Sequence, residues 1–158
     1  MRWHVWCYVI WTSVDRGNIS EALKDVSNMK TTDCTVEPEA LVFIVDDEPM
    51  VGLVAESILQ ERGFRTRFFS DPLLALQSLG TEMEFPVLLL TDFQMNPMNG
   101  MQLIASFKEV LPKLKTVLYS GSACRDLAAQ YQVGPDRIVK KPFLPETLVG
   151  QVESALAM

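Results

Sequence analysis

The chain has 158 residues, 48% of them apolar and 22% charged, with a formal net charge of −6. That length accommodates one domain with a full core plus an appendage, and the acidic balance disfavours non-specific binding to a phosphate backbone. Three scattered cysteines (Cys7, Cys34, Cys124) without CxxC spacing point to a reducing compartment and away from a disulfide scaffold or structural zinc. The single histidine, His4, excludes a histidine triad or histidine metal cluster from the main domain.

Residues 1 to 11, MRWHVWCYVIW, carry all three tryptophans. The stretch is too short to span a membrane, and no clear small-residue cleavage site follows it. Residues 12 to 40 are polar and mixed. Residues 1 to 40 are therefore read as an extension ahead of a main domain at 41 to 158. Met29, followed by the polar leader KTTDCTVEPEA, is an alternative start. No helix-turn-helix pattern is expected after the last helix, and no basic run or zinc-finger spacing is seen.

From residue 41 short apolar runs alternate with amphipathic stretches. Leu41 to Val45 is a continuous apolar run, the pattern of a strand buried on both faces. Pro49 opens a helix, where its missing N–H costs nothing. Val51, Val54, Ala55 and Ile58 are expected to form its inward stripe, and Gly63 to end it. Phe64 to Phe69 reads as a second strand with Arg65 and Arg67 outward, nearer an edge. Ser70-Asp71-Pro72 is a cap-then-proline start for a helix that Gly80 ends. Pro86 to Thr91 is the third strand. The next helix carries Leu103, Ile104, Phe107, Val110 and Leu111 and closes at Pro112. Thr116 to Ser120 is the fourth strand, followed by a helix with Cys124, Leu127, Ala128 and Tyr131. Arg137 to Lys140 is the fifth strand. Pro145 starts the last helix, with Leu148, Val152, Ala155 and Leu156 inward.

Five strands alternating with five helices imply an α/β fold, a parallel sheet covered on both faces. In such folds ligands sit beyond the carboxyl ends of the strands. Those ends read Asp46-Asp47-Glu48, Thr91-Asp92, Ser120-Gly121 and Lys141-Pro142. Any one of these alone is ordinary turn or cap chemistry. Together they converge acids, a hydroxyl and an ammonium on one rim. Carboxylates that close repel unless neutralised. Mg²⁺ is the natural partner, since it takes a few carboxylates and keeps several waters. A lysine and a hydroxyl beside it complete a pocket able to hold a phosphoryl group by positioning and charge, with Gly121 leaving room for close backbone approach.

The segments VFIVDDEP (42 to 49), LLLTDFQMNPMNG (88 to 100), VLYSGS (117 to 122) and KKPF (140 to 143), in this order and spacing, make residues 41 to 158 resemble the response-regulator receiver domain of two-component signalling. The resemblance implies a flavodoxin-like, doubly wound five-stranded sheet in the order 2-1-3-4-5. It implies Asp92 as phosphoacceptor, with Mg²⁺ held by Asp46, Asp47, Asp92 and the backbone carbonyl of Gln94. Ser120 aligns with the switch hydroxyl and Lys141 with the lysine that pairs with the phosphoryl group. The Lys141-Pro142 bond is expected to be cis. Implied partners are a histidine kinase or phosphotransfer protein and a downstream protein, in the cytoplasm, with no nucleic acid and no membrane span; homodimerisation through the last helix is a family habit.

Two departures stand out. The proline usual four residues after the acceptor is Asn96 here, with Pro97 one later. Ile138 stands where many receivers carry Tyr or Phe, so the output cannot use rotation of an aromatic ring there. Ser122 and Gln94 flank the expected path of attacking water. Two other readings follow from the same residues. A non-cycling, receiver-like interaction module is favoured by Ile138 and opposed by the complete acidic set. A Mg²⁺-dependent phosphohydrolase is disfavoured because Gln94 replaces the second acid of an Asp-x-Asp pair.

Overall fold

The computed structural model describes residues 40–81, 84–121, 131 and 133–158. The elements are β1 (Leu41–Val45), α1 (Pro49–Glu61), β2 (Arg65–Phe69), α2 (Pro72–Ser78), β3 (Leu88–Asp92), α3 (Gly100–Val110), β4 (Lys115–Ser120), β5 (Arg137–Lys140) and α4 (Pro145–Leu156). All neighbouring strands pair in parallel, in the order β2-β1-β3-β4-β5. This is the expected flavodoxin-like topology. The helix expected around Cys124, Leu127 and Ala128 lies outside the described residues, as do Ser122 and the extension through residue 39.

Strand parity divides the core into two layers. Val42, Ile44, Leu88, Leu90, Val117 and Tyr119 face α1 and α4. Phe43, Val45, Leu89 and Leu118 face α2 and α3, where Phe43 meets Phe69 at 5.0 Å and Phe107 edge-on at 6.3 Å between ring centres. The central strand β3 is buried at every residue, as a parallel strand covered on both sides must be.

Local chemistry sets the helix ends. Asp71 accepts a hydrogen bond from the Leu73 N–H at 2.8 Å, with Pro72 at the first helical position. Gly63 takes φ +86 after α1, a conformation that penalises any side chain. Asn99 and Gln102 form a reciprocal capping box at the start of α3.

The inward face of α1 differs from the expected stripe. Gly52, Ala55 and Leu59 are buried, Val51 and Ile58 are half-buried, and Val54 is 51% exposed. The reason is Gly52: a Cβ there would run into the ring of Phe68 on β2, so the helix packs closest to the sheet where it has no side chain. Strand limits shift as well. Phe64 is buried but its N–H closes α1 on the Leu59 carbonyl, and β3 starts at Leu88 and runs to Asp92.

Candidate functional site

The carboxyl ends of β1, β3, β4 and β5 meet at one rim. Asp46 follows β1 and is fully buried; Asp92 is the last residue of β3 and is 6% exposed. Asp47 is exposed. One carboxylate oxygen from each of Asp46, Asp47 and Asp92 lies within 4.8 Å of the others. Among the described residues, this is the only group of three or more acids, cysteines or histidines so arranged.

Lys141 supplies the counter-charge. Its Nζ lies 2.9 Å from Asp46 Oδ2 and 2.8 Å from Asp92 Oδ1. The Lys141 N–H bonds the Ser120 carbonyl at 2.8 Å, which ties its backbone to the end of β4. The Lys141-Pro142 peptide is cis, as expected. The Asn96-Pro97 bond is also cis. Burial disfavours the Lys141 ammonium, but hydrogen bonds to Asp92 and Asp46 outweigh it and hold its pKa above the usual lysine value.

The backbone anchors both buried acids. Asp46 Oδ1 accepts from the Glu48 N–H at 2.8 Å, and Asp92 Oδ2 accepts from the Gln94 N–H at 2.7 Å. These bonds fix the acids at the start of their loops. Behind Asp92 the chain is packed tightly. A Cβ on Gly100 would collide with the Asp92 carbonyl oxygen and come within 2.9 Å of Leu118 Cδ1, so only glycine lets α3 begin this close to β3. Met95 and Met101 are buried and Met98 partly so, in the packing role expected of them. Ser120 is 3% exposed at the end of β4, while Gly121 is exposed with open space where a Cβ would stand. Ile138 is half-buried against the α3 layer.

One residue of the site was not anticipated. Tyr119 is fully buried, and Lys141 Nζ stands 4.5 Å from its ring centre. Phe143 meets the ring edge-on at 5.8 Å. The phenol makes no hydrogen bond of good geometry to a described group, although its hydroxyl lies close enough to Asp46 for that carboxylate to act on it. Burial, then the negative charge of Asp46, raise its pKa well above the usual tyrosine value. In sequence Tyr119 sits inside an apolar strand run, where nothing marks an aromatic as functional.

The donor set suits a hard cation: three carboxylates, all oxygen, close enough for one ion to draw together. The strand order and a charged cluster on the carboxyl rim define the class, a flavodoxin-like α/β domain with that cluster near the point where the strand order reverses. The comparisons narrow it. The model of the response regulator receiver domain family matches residues 42–153, and the chain belongs to that family. It is similar to the DNA-binding transcriptional regulator NtrC of Proteus hauseri, 29% identical over 116 residues, covering 73% of this chain and 24% of the relative. The chain thus spans about a quarter of that relative's length. A response regulator receiver protein from Sinorhizobium medicae is 28% identical with a TM-score of 0.68, covering 75% of this chain and 95% of that one. A CheY-like receiver domain protein from Methanospirillum hungatei shares the fold at 23% identity and a TM-score of 0.66, covering 74% of this chain and 93% of that one. Among the described residues no helix is long and apolar enough to cross a membrane.

Proposed function

We propose that this receiver domain is a phosphoacceptor switch whose acceptor is Asp92. The observation that carries the reading is the Lys141 ammonium bridging Asp92 Oδ1 and Asp46 Oδ2 beside a third carboxylate. In the reaction a carboxylate oxygen of Asp92 attacks phosphorus, an O–P bond forms, and the bond to the donor breaks. With a phosphohistidine donor from a histidine kinase or phosphotransfer protein, the leaving imidazole takes up a proton.

Asp46, Asp47, Asp92 and the Gln94 carbonyl would hold Mg²⁺, which when bound offsets the charge of the entering phosphoryl oxygens. Lys141 turns its ammonium from the carboxylates to a phosphoryl oxygen. The Ser120 hydroxyl donates to another, and Gly121 leaves the approach open. Ser122 and Gln94 set how readily water attacks the acyl phosphate. The product biases a two-state surface that a downstream protein reads in the cytoplasm. DNA binding is named for the NtrC relative; for this chain the output is assigned to protein contact. With Ile138 packed in the α3 layer, that output runs through Ser120 and the β4 end instead of an aromatic rotation.

The test is intact mass after incubation with acetyl phosphate, with and without Mg²⁺, for the wild-type protein and Asp92→Ala. One phosphoryl group gained only with Mg²⁺, and absent from the variant, is expected. No gain in a folded wild-type protein would favour the non-cycling interaction module.

A further inference from the structure

The phenol of Tyr119 is the one buried side-chain polar atom among the described residues without a hydrogen-bond partner. Such a group costs about 1–3 kcal/mol when left unpaired, which calls for a state in which it is paired. Its surroundings identify that state. Its ring packs against Lys141 Nζ at 4.5 Å, and that ammonium is itself 2.9 Å from Asp46 Oδ2, so the Asp46 carboxylate lies beside the same side chain. In this structure the Asp46 oxygens are engaged by others: Oδ1 by the Glu48 N–H at 2.8 Å and Oδ2 by Lys141 at 2.9 Å. A divalent cation in the pocket must compete with Lys141 for these carboxylates, and a phosphoryl group must compete with the carboxylates for Lys141. Once Lys141 turns away, Asp46 Oδ2 loses its donor while remaining fully buried.

We propose that Tyr119 is a positioning residue of the acidic pocket: its ring supports the Lys141 ammonium, and its hydroxyl replaces Lys141 as hydrogen-bond donor to Asp46 when the pocket is loaded. The ring contact is a cation–π interaction in a largely desolvated place, where such contacts are strongest. The hydroxyl needs no new backbone position to act, because β4 already holds it in register with Asp92 of β3 and Val139 of β5. The two parts of the side chain thus serve the two states of the lysine. This inference rests on the cation-binding part of the reading above, so its test begins with the cation alone.

The full chain is titrated with Mg²⁺ by calorimetry, and the tyrosine doublet near 830 and 850 cm⁻¹ is followed by ultraviolet resonance Raman, which reports phenol hydrogen bonding. The chain has three tyrosines, so Tyr119→Phe assigns the signal. The wild-type doublet is expected to shift toward the donor form on Mg²⁺ addition, and the variant's to stay unchanged. Tyr119→Phe should bind Mg²⁺ about ten- to a hundredfold more weakly, the loss of one hydrogen bond to a charged group. Tyr119→Leu should also slow labelling by acetyl phosphate, since the ring beneath Lys141 is gone. An unchanged doublet in a wild-type protein that binds Mg²⁺, or equal Mg²⁺ affinity in wild type and Tyr119→Phe, would overturn the role of the hydroxyl while leaving the phosphoacceptor reading intact. No Mg²⁺ binding by the wild type would overturn both.

Discussion

Replacing Lys141 by methionine tests the electrostatics of the rim. The side chain stays unbranched and nearly as long but loses its charge, and with it the cation–π contact with Tyr119. Three carboxylate oxygens then remain within 4.8 Å of one another with no ammonium between them. At that separation two unit charges in a medium of effective dielectric about 20 repel by about 3.5 kcal/mol. Asp47 is exposed and its share is screened, so the dominant pair is Asp46 with Asp92. A cost of about 3 kcal/mol follows, in line with removing one partner of a buried ion pair. In urea unfolding with EDTA the midpoint should fall by about 1.5 M, taking a slope of about 2 kcal/mol per M. Mg²⁺ should restore more stability to the variant than it adds to the wild type, because it no longer competes with an ammonium. A ligand at a hundred times its Kd contributes about 2.7 kcal/mol. A loss below about 1 kcal/mol in EDTA, or equal gains from Mg²⁺, would refute the assignment of Lys141 as the charge that holds the three carboxylates together.

Gly100→Ala should destabilise the domain by about 2–3 kcal/mol, since the new methyl meets the Asp92 carbonyl and overpacking of this kind costs about 1–3 kcal/mol; chemical denaturation measures it. Asp136 is buried in part, which alone would raise its pKa, yet hydrogen bonds from Thr116 and Lys108 lower it below the usual value. A depressed carboxylate contributes stability above its unfolded pKa that is lost as pH falls through the folded one. Asp136→Ala should therefore lower stability at pH 7 and flatten its fall in acid, followed by thermal melts from pH 6 to 2.5. Lys141 and Tyr119 both have raised values, so the folded state retains their protons longest. Stability should hold through neutral pH and decline from about pH 10 upward, and Tyr119→Phe should make that decline shallower.

Much of this was legible in residue order. Continuous apolar runs such as Leu88 to Leu90, short and bounded by turn residues, suit strands covered on both sides, and those of β1, β3 and β4 end at chemically distinct rim residues. The convergence of Asp46, Asp92 and Lys141 follows once the strands are parallel, because parallel strands bring their carboxyl ends to one side. The inner face of α1 was misjudged at Val54 because apolar periodicity gives no weight to glycine, whereas close packing onto Phe68 selects Gly52. Tyr119 escaped notice for another reason. In a strand buried on both faces, alternation carries no signal, and a phenol looks like any other large side chain until the register sets it beside Lys141.

The sheet ends in two border strands, β2 and β5, and each carries cations. Arg65 and Arg67 point outward along β2, and β5 is a four-residue strand bounded by Arg137 and Lys140. An approaching extended segment would have to bring its backbone alongside these charges, a common natural defence against accidental strand addition. Growth of the sheet into aggregates is thereby discouraged at both ends.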